Sequence, residues 1–333
     1  MTTPVSASGH LPVGVAIIGG GPAGLSAGVN LVRANRRIAI IDSNRPRHSA
    51  TLQSHGFLTR DGSSPLELRR LGREEFERYP TATFAQAIVS EVSPLSVDEA
   101  HATGFLDGIG FRVRGSGVRG ASDVEFFARR VLLTAGLTEE LPPFPMIRAF
   151  YGTALHSCVE CDGFEKTDKP LVLIGETSDL FGRALLISRF SSDLIVFTNG
   201  ANTVRPDQER QLESIGIRVE RRAIDDIVGE KAEMTGVRLV DGTVIPRVGG
   251  FVRPRWHAPV EFIGDQPLNR DDWGLVMVSD RGETSIRGIY AAGDIVPPGP
   301  QQLIIAAGGG ARVAAKLNMD LIHGALGVGQ IDD

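Results

Sequence analysis

Cysteine is nearly absent from the chain. There are two in 333 residues, Cys158 and Cys161. Lying three positions apart they cannot staple a long loop, which excludes a disulfide-framed secreted scaffold. A surplus of basic charge is absent too. Lys and Arg number 35 against 40 Asp and Glu, a formal net charge of -5, whereas binding to a phosphate backbone needs a clear excess of cations. Nucleic acid is therefore not expected as a partner. No stretch runs 18 apolar residues without interruption, and Met1 to Pro12 carry neither the basic nor the apolar region of a secretory signal. A cytoplasmic protein with no membrane partner is expected. Low-complexity tracts and short repeats are missing as well. What remains, 42% hydrophobic and 23% charged residues, suits two compact domains.

Glycine, by contrast, is plentiful: 40 residues, set at the ends of short apolar runs. Val13 to Ile18 reads as a buried strand, Pro22 to Val32 as a helix and Ile38 to Ile41 as the next strand, a βαβ unit. The pattern returns with a strand at Leu171 to Ile174, a helix at Leu180 to Phe190 and a strand at Leu194 to Phe197. Between the two units, Val131 to Thr134 reads as a strand and the proline-rich stretch Leu141 to Pro145 as a crossover. A strand at Gly288 to Ala292 and a closing helix from Gln301 to Ile322 return to the first domain. The expected fold is α/β, with two Rossmann-like three-layer nucleotide-binding domains, the first discontinuous. That first domain takes residues 1–145 and 249–333, and the inserted second domain takes 146–248.

Gly19-Gly20-Gly21-Pro22-Ala23-Gly24 fits G-x-G-x-x-G between a strand and a helix. Gly19 permits the tight turn, Gly21 lets the backbone approach a pyrophosphate, and Gly24 permits close helix-strand packing. The helix N-terminus favours the phosphate charge, and Asp42 ends the next strand where a ribose hydroxyl pair would sit. A second strand end, Ala292-Gly293-Asp294, offers a carboxylate to polyol hydroxyls such as those of a ribityl chain. The helix starting at Gln301 and Gln302 would turn its positive end toward the pyrimidine edge of a flavin. Arg45 and Arg47, just behind Asp42, are expected toward the adenosine phosphates, with a solvent-facing position as the alternative. Arg253, Arg255, Trp256 and His257 read as a charged interdomain or dimer surface, with a binding patch as the alternative.

Cys158-Val159-Glu160-Cys161, followed by Asp162-Gly163-Phe164, carries the reactive chemistry. Two thiols at this spacing can close a small disulfide, and a turn or helix start there activates a thiolate. Asp162 can move protons for the departing thiol. A zinc site completed by His156 and a remote histidine, or a pair of inert thiols, are the alternatives.

Together the GGGPAG turn, the Thr134-Ala135-Gly136 strand end, the CVECDGF segment and the AAGD strand followed by Gln301-Gln302 resemble the low-molecular-weight thioredoxin reductase family. The resemblance runs from about Val13 to Ile322. It implies FAD as cofactor, with Gly19, Gly21, Pro22, Ala23, Gly24, Asp42, Gly136, Gly293, Asp294, Gln302 and Leu303 on FAD-binding positions. His55 and Gly56 would lie in a loop near the flavin ring. Cys161 would sit nearest the flavin, Cys158 would attack or release substrate, and Asp162 would be the acid-base group. His156, just before the motif, joins these as a catalytic candidate or is a packed histidine.

One departure from the family stands out. Its second nucleotide site carries G-x-G-x-x-A and then a His-Arg-Arg run, where this chain has Gly175-Glu176-Thr177-Ser178-Asp179-Leu180 and Thr198-Asn199-Gly200. Binding of NADPH in the usual way is therefore not expected. Relatives with such a domain resemble gliotoxin- and holomycin-type dithiol oxidases or ferredoxin-linked reductases, although those oxidases carry Pro-Tyr where this chain has Val159-Glu160. The leading expectation is a homodimeric FAD enzyme that oxidises a small-molecule dithiol with oxygen as acceptor. The alternatives are a reductase of a thioredoxin-like protein fed by ferredoxin or NADPH, and a non-enzymatic FAD redox sensor.

Overall fold

The run Val13–Ile18 is buried along its whole length except for a partly covered Gly14, as a strand inside a parallel sheet must be. A computed structural model describes residues 12–326, and the ends of the expected first domain, 1–11 and 327–333, lie outside them, as does most of the Met1 to Pro12 segment. The chain forms two compact units. The first holds the residues up to Arg47, Leu66–Thr138 and everything from His257 onward; the second holds His48–Pro65 and Glu139–Trp256. This division differs from the expected 1–145/249–333 and 146–248. The crossings fall at 138/139 and 256/257, and the segment His48–Pro65 groups with the second unit.

In the first unit, Val13–Ile18 pairs in parallel with Ile38–Asp42 on one side and with Val124–Leu133 on the other. Ile289–Ala291 extends the parallel sheet beyond Val124–Leu133. Two long strands serve double duty. The first half of Ala82–Pro94 runs parallel to Ile38–Asp42, and its second half pairs antiparallel with Phe111–Gly117, which in turn pairs antiparallel with the start of Val124–Leu133. The helices Pro22–Arg33 and Leu303–Leu326 pack together on one face, and Leu25, Leu31, Val313, Ala314 and Leu317 join Val15 and Ile17 in one core.

The second unit contains a five-stranded parallel sheet in the order Arg218–Glu220, Leu194–Phe197, Leu171–Ile174, Gly249–Val252, Leu155–His156. Successive strand residues face opposite sides. Leu171 and Leu173 join a core with the helix Leu180–Ile187, whereas Val172 and Ile174 join one with Phe144, Phe150 and the antiparallel strands Ile224–Glu230 and Glu233–Leu239. Val159 is fully buried in the first of these cores and so anchors the cysteine segment. No helix among the described residues is long and apolar enough to cross a membrane.

Candidate active site

The first-unit site grows from the turn between the strand Val13–Ile18 and the helix Pro22–Arg33. Gly19 has φ +108°, and a Cβ there would lie 2.3 Å from the Thr134 carbonyl oxygen, so only glycine fits. Gly24 is held by close approach: an added Cβ would stand 1.9 Å from the Gly19 oxygen. At Gly21 the reverse holds, since a Cβ would meet nothing within 4 Å and the loop opens onto free space. Pro22 begins the helix, whose first turn has neither an acidic side chain nor a side-chain cap, leaving N–H groups available to an anion. These features fit the pyrophosphate of a dinucleotide.

The neighbouring expected residues gather around this turn. Asp42 is 8% exposed; its Oδ1 accepts from the Gly20 N–H at 3.1 Å and its Oδ2 pairs with Arg69. Arg69 also donates to Asn44 at 3.1 Å. Gly293 approaches Ala23, and Asp294 pairs with Arg47 at 2.9 Å. Arg47 thus binds the carboxylate expected to serve the ribityl chain, where sequence alone pointed it toward the adenosine phosphates. Gly136 lies at φ +68° facing open space, and Gln302 precedes Leu303, which opens the closing helix. Arg69 was not foreseen: it is an ordinary arginine 27 positions from its partner, and no local spacing marks it.

His55 and Gly56 belong to the second unit. Asp61 accepts from the Gly56 N–H at 2.8 Å and lies 3.4 Å from His55 Nδ1, while His55 Nε2 is 3.5 Å from Glu165. The Gly56 N–H bond, with the His55 contact behind it, holds the Asp61 carboxyl below its usual range.

The cysteine site lies in the second unit. Cys158 and Cys161 are joined, with sulfurs 2.10 Å apart and Cα atoms 5.3 Å apart, so each sulfur is engaged by the other. Cys158 Sγ also accepts from the Cys161 N–H at 3.2 Å, and the Glu160 carboxylate stands 3.9 Å from it. His156 Nδ1 is 2.8 Å from Asp162 Oδ1, with side chains 10% and 14% exposed. Its other nitrogen lies 2.6 Å from the Thr153 carbonyl oxygen. The structure therefore brings the four residues Cys158, Cys161, Asp162 and His156 into one segment. Lys166, unforeseen, is 8% exposed. Burial pushes its ammonium below the ordinary lysine range, while the Asp162 charge pulls the other way.

The second nucleotide loop is closed upon itself. Asp179 Oδ2 lies 2.8 Å from Arg183 Nε and 2.9 Å from Arg253 Nε, and its Oδ1 accepts from the Thr177 hydroxyl at 2.6 Å. Burial alone would raise the Asp179 carboxyl, but the Thr177 bond and the two guanidiniums hold it below the usual range. Glu176 accepts from Asn199 at 2.7 Å and lies 3.8 Å from Arg255. Arg255 stays on the surface as expected, whereas Arg253 is covered, pairs with Asp179 and lies over the Trp256 ring.

Comparison with known proteins places this geometry among relatives. The family model described as pyridine nucleotide-disulphide oxidoreductase matches residues 13–310. The chain is 28% identical to thioredoxin reductase aclD of Aspergillus oryzae, over 84% of this chain and 87% of that one. It is similar to a solved Bacillus anthracis structure described as the thioredoxin reductase TrxB, at 34% identity, TM-score 0.83, and 93% and 99% coverage. The structure of HlmI matches at 30% identity and TM-score 0.84, covering 95% of this chain and 94% of that one.

Proposed function

The chain belongs to the pyridine nucleotide-disulphide oxidoreductase family, and from that premise we propose that it is a dithiol oxidase working without NADPH. It is a thioredoxin reductase-like member, and FAD is its cofactor. Gly19, Gly21, Gly24, Asp42 and Asp294 would hold the FAD. The observation that carries the proposal is Asp179. Its carboxylate already occupies the two guanidiniums, Arg183 and Arg253, that a nucleotide phosphate would seek. Thr177, in place of glycine, adds a side chain where the backbone would meet pyrophosphate.

In the reaction, one thiolate of the substrate attacks Cys158 Sγ. A substrate–Cys158 bond forms, the Cys158–Cys161 bond breaks, and Cys161 leaves with the electron pair. The second substrate thiol then attacks the substrate sulfur of this mixed disulfide, closing the substrate disulfide and releasing Cys158. When bound, FAD supplies a two-electron carrier between the reduced cysteine pair and the terminal acceptor, which we take to be dioxygen. The sum is dithiol and O₂ giving disulfide and H₂O₂.

The test is oxygen uptake with dithiothreitol in air. One peroxide should form per disulfide, and Cys158→Ser should lower turnover by at least about 10³-fold, as removal of a nucleophile does. Turnover that requires NADPH and a thioredoxin would instead favour the second reading, a reductase of a thioredoxin-like protein fed by NADPH or ferredoxin. What favours that reading is Phe164, 80% exposed three positions beyond Cys161, an apolar ring suited to a protein partner.

A further inference from the structure

The two contacts of the His156 ring fix a proton inventory. The Thr153 carbonyl oxygen has lone pairs and no proton to give, so at 2.6 Å the Nε2 facing it must carry a hydrogen. At Nδ1 the partner is a carboxyl oxygen 2.8 Å away. Two bare lone pairs at that distance would repel, so one proton lies between them, as N–H⁺···⁻O or as N···H–O. Both forms have no net charge. The pair His156–Asp162 therefore stores one proton beside Cys161.

We propose that His156 is a positioning residue which, with Asp162, holds the proton given to the leaving cysteine sulfur. This rests on the dithiol reading above. The sulfur that should end protonated is Cys158, because the Glu160 carboxylate 3.9 Å away disfavours a thiolate there. As the second substrate thiol attacks, the Cys158 sulfur departs with the bonding electron pair and takes the stored proton. The pair regains a proton from that same substrate thiol, which must lose one to become the nucleophile. No proton is created or lost.

Lys166, four positions beyond Asp162, is buried, and burial pushes its ammonium down while the Asp162 charge pulls the other way. The other charged groups around the pair are Glu160, the Glu139 and Arg183 contacts to Ser157, and His55 on Glu165.

The experiment uses the oxidised FAD-loaded protein labelled with ¹⁵N in its histidines, with His156 assigned from the His156→Asn spectrum. The expected ring carries a hydrogen on Nε2 and shares a second with Asp162 at Nδ1; a bare Nε2 overturns the proposal. In anaerobic reduction of the disulfide by dithiothreitol, His156→Asn should be slower by on the order of 10²-fold, the scale of lost general acid catalysis. It should also lose the inflection in its pH profile while keeping its flavin content; an unchanged profile overturns the proposal as well. If the unaltered protein is not reduced by any dithiol, the oxidase reading falls, and the ring spectra still decide the proton inventory.

Discussion

At the scale of single residues, the groups that sequence exposes are those whose identity already carries chemistry. Gly19 and Gly24 are legible because no other residue suits a φ of +108° or a carbonyl 1.9 Å from the Cβ position. Cys158 and Cys161 are legible because there are no others. Arg69 and Lys166 are not, since an arginine or lysine is ordinary in any chain; Arg69 gains meaning only from Asp42 beside it and Lys166 only from its burial. The same holds for Arg253, which read as surface charge and lies against Asp179. Two predictions belong here. Gly24→Ala should force the turn apart, at a cost of about 1–3 kcal/mol for overpacking, and lower the fraction of protein purified with FAD, read from the ratio of flavin to protein absorbance. Asp179→Gly should release Arg183 and Arg253 to a phosphate. Charge-assisted bonds are worth roughly 1.5–3 kcal/mol each, so NADPH affinity in equilibrium dialysis should rise at least about tenfold, and an unchanged affinity would remove Asp179 from the account.

At the scale of elements, short strands buried on both faces were the readable ones. Val13–Ile18, Leu171–Ile174 and Leu194–Phe197 fall where the apolar runs place them, because a parallel strand covered on both sides leaves a continuous apolar signature. Ala82–Pro94 and Phe111–Gly117 left no such mark. Their burial is irregular, and Ala82–Pro94 changes partner along its length. The closing helix begins at Leu303, two residues later than expected, and runs past Ile322 to Leu326. It is held to the sheet by charge as well as by packing: Arg130, with a side chain 3% exposed, pairs with Asp320 on the helix and with Asp107 at 2.7 Å. Arg130→Met would strand Asp320, and loss of one partner from a buried pair costs about 3 kcal/mol, measurable by denaturant unfolding of the FAD-loaded protein. Burial pulls the Asp107 carboxyl upward, but Arg129 and Arg130 hold it below the ordinary carboxylate range. Its contribution is therefore full above that range and is lost as pH falls through the lowered value. Acid unfolding of Arg130→Met should accordingly be less steep in pH than that of the parent.

At the scale of the whole molecule, motif order in the sequence carries the discontinuous fold, since a glycine-rich turn at one end and the Gly293-Asp294 strand end at the other belong to a single unit. The exact crossings do not follow from composition. Nothing in residues 48–65 signals that they group with the second unit, where His55 reaches Glu165 3.5 Å away. The division has a functional consequence: the dinucleotide turn lies in one unit, while the cysteine pair and the occupied loop around Asp179 lie in the other. Under the proposed function, the thiol route at Cys158 and a nucleotide route at Asp179 would both run through the second unit. Anaerobic rapid mixing of the FAD-loaded protein with NADPH and, separately, with dithiothreitol tests this directly, with the flavin band followed in time. The account predicts fast bleaching by the dithiol, reversed by air with peroxide formed, and no bleaching by NADPH on that timescale; fast bleaching by NADPH would contradict it.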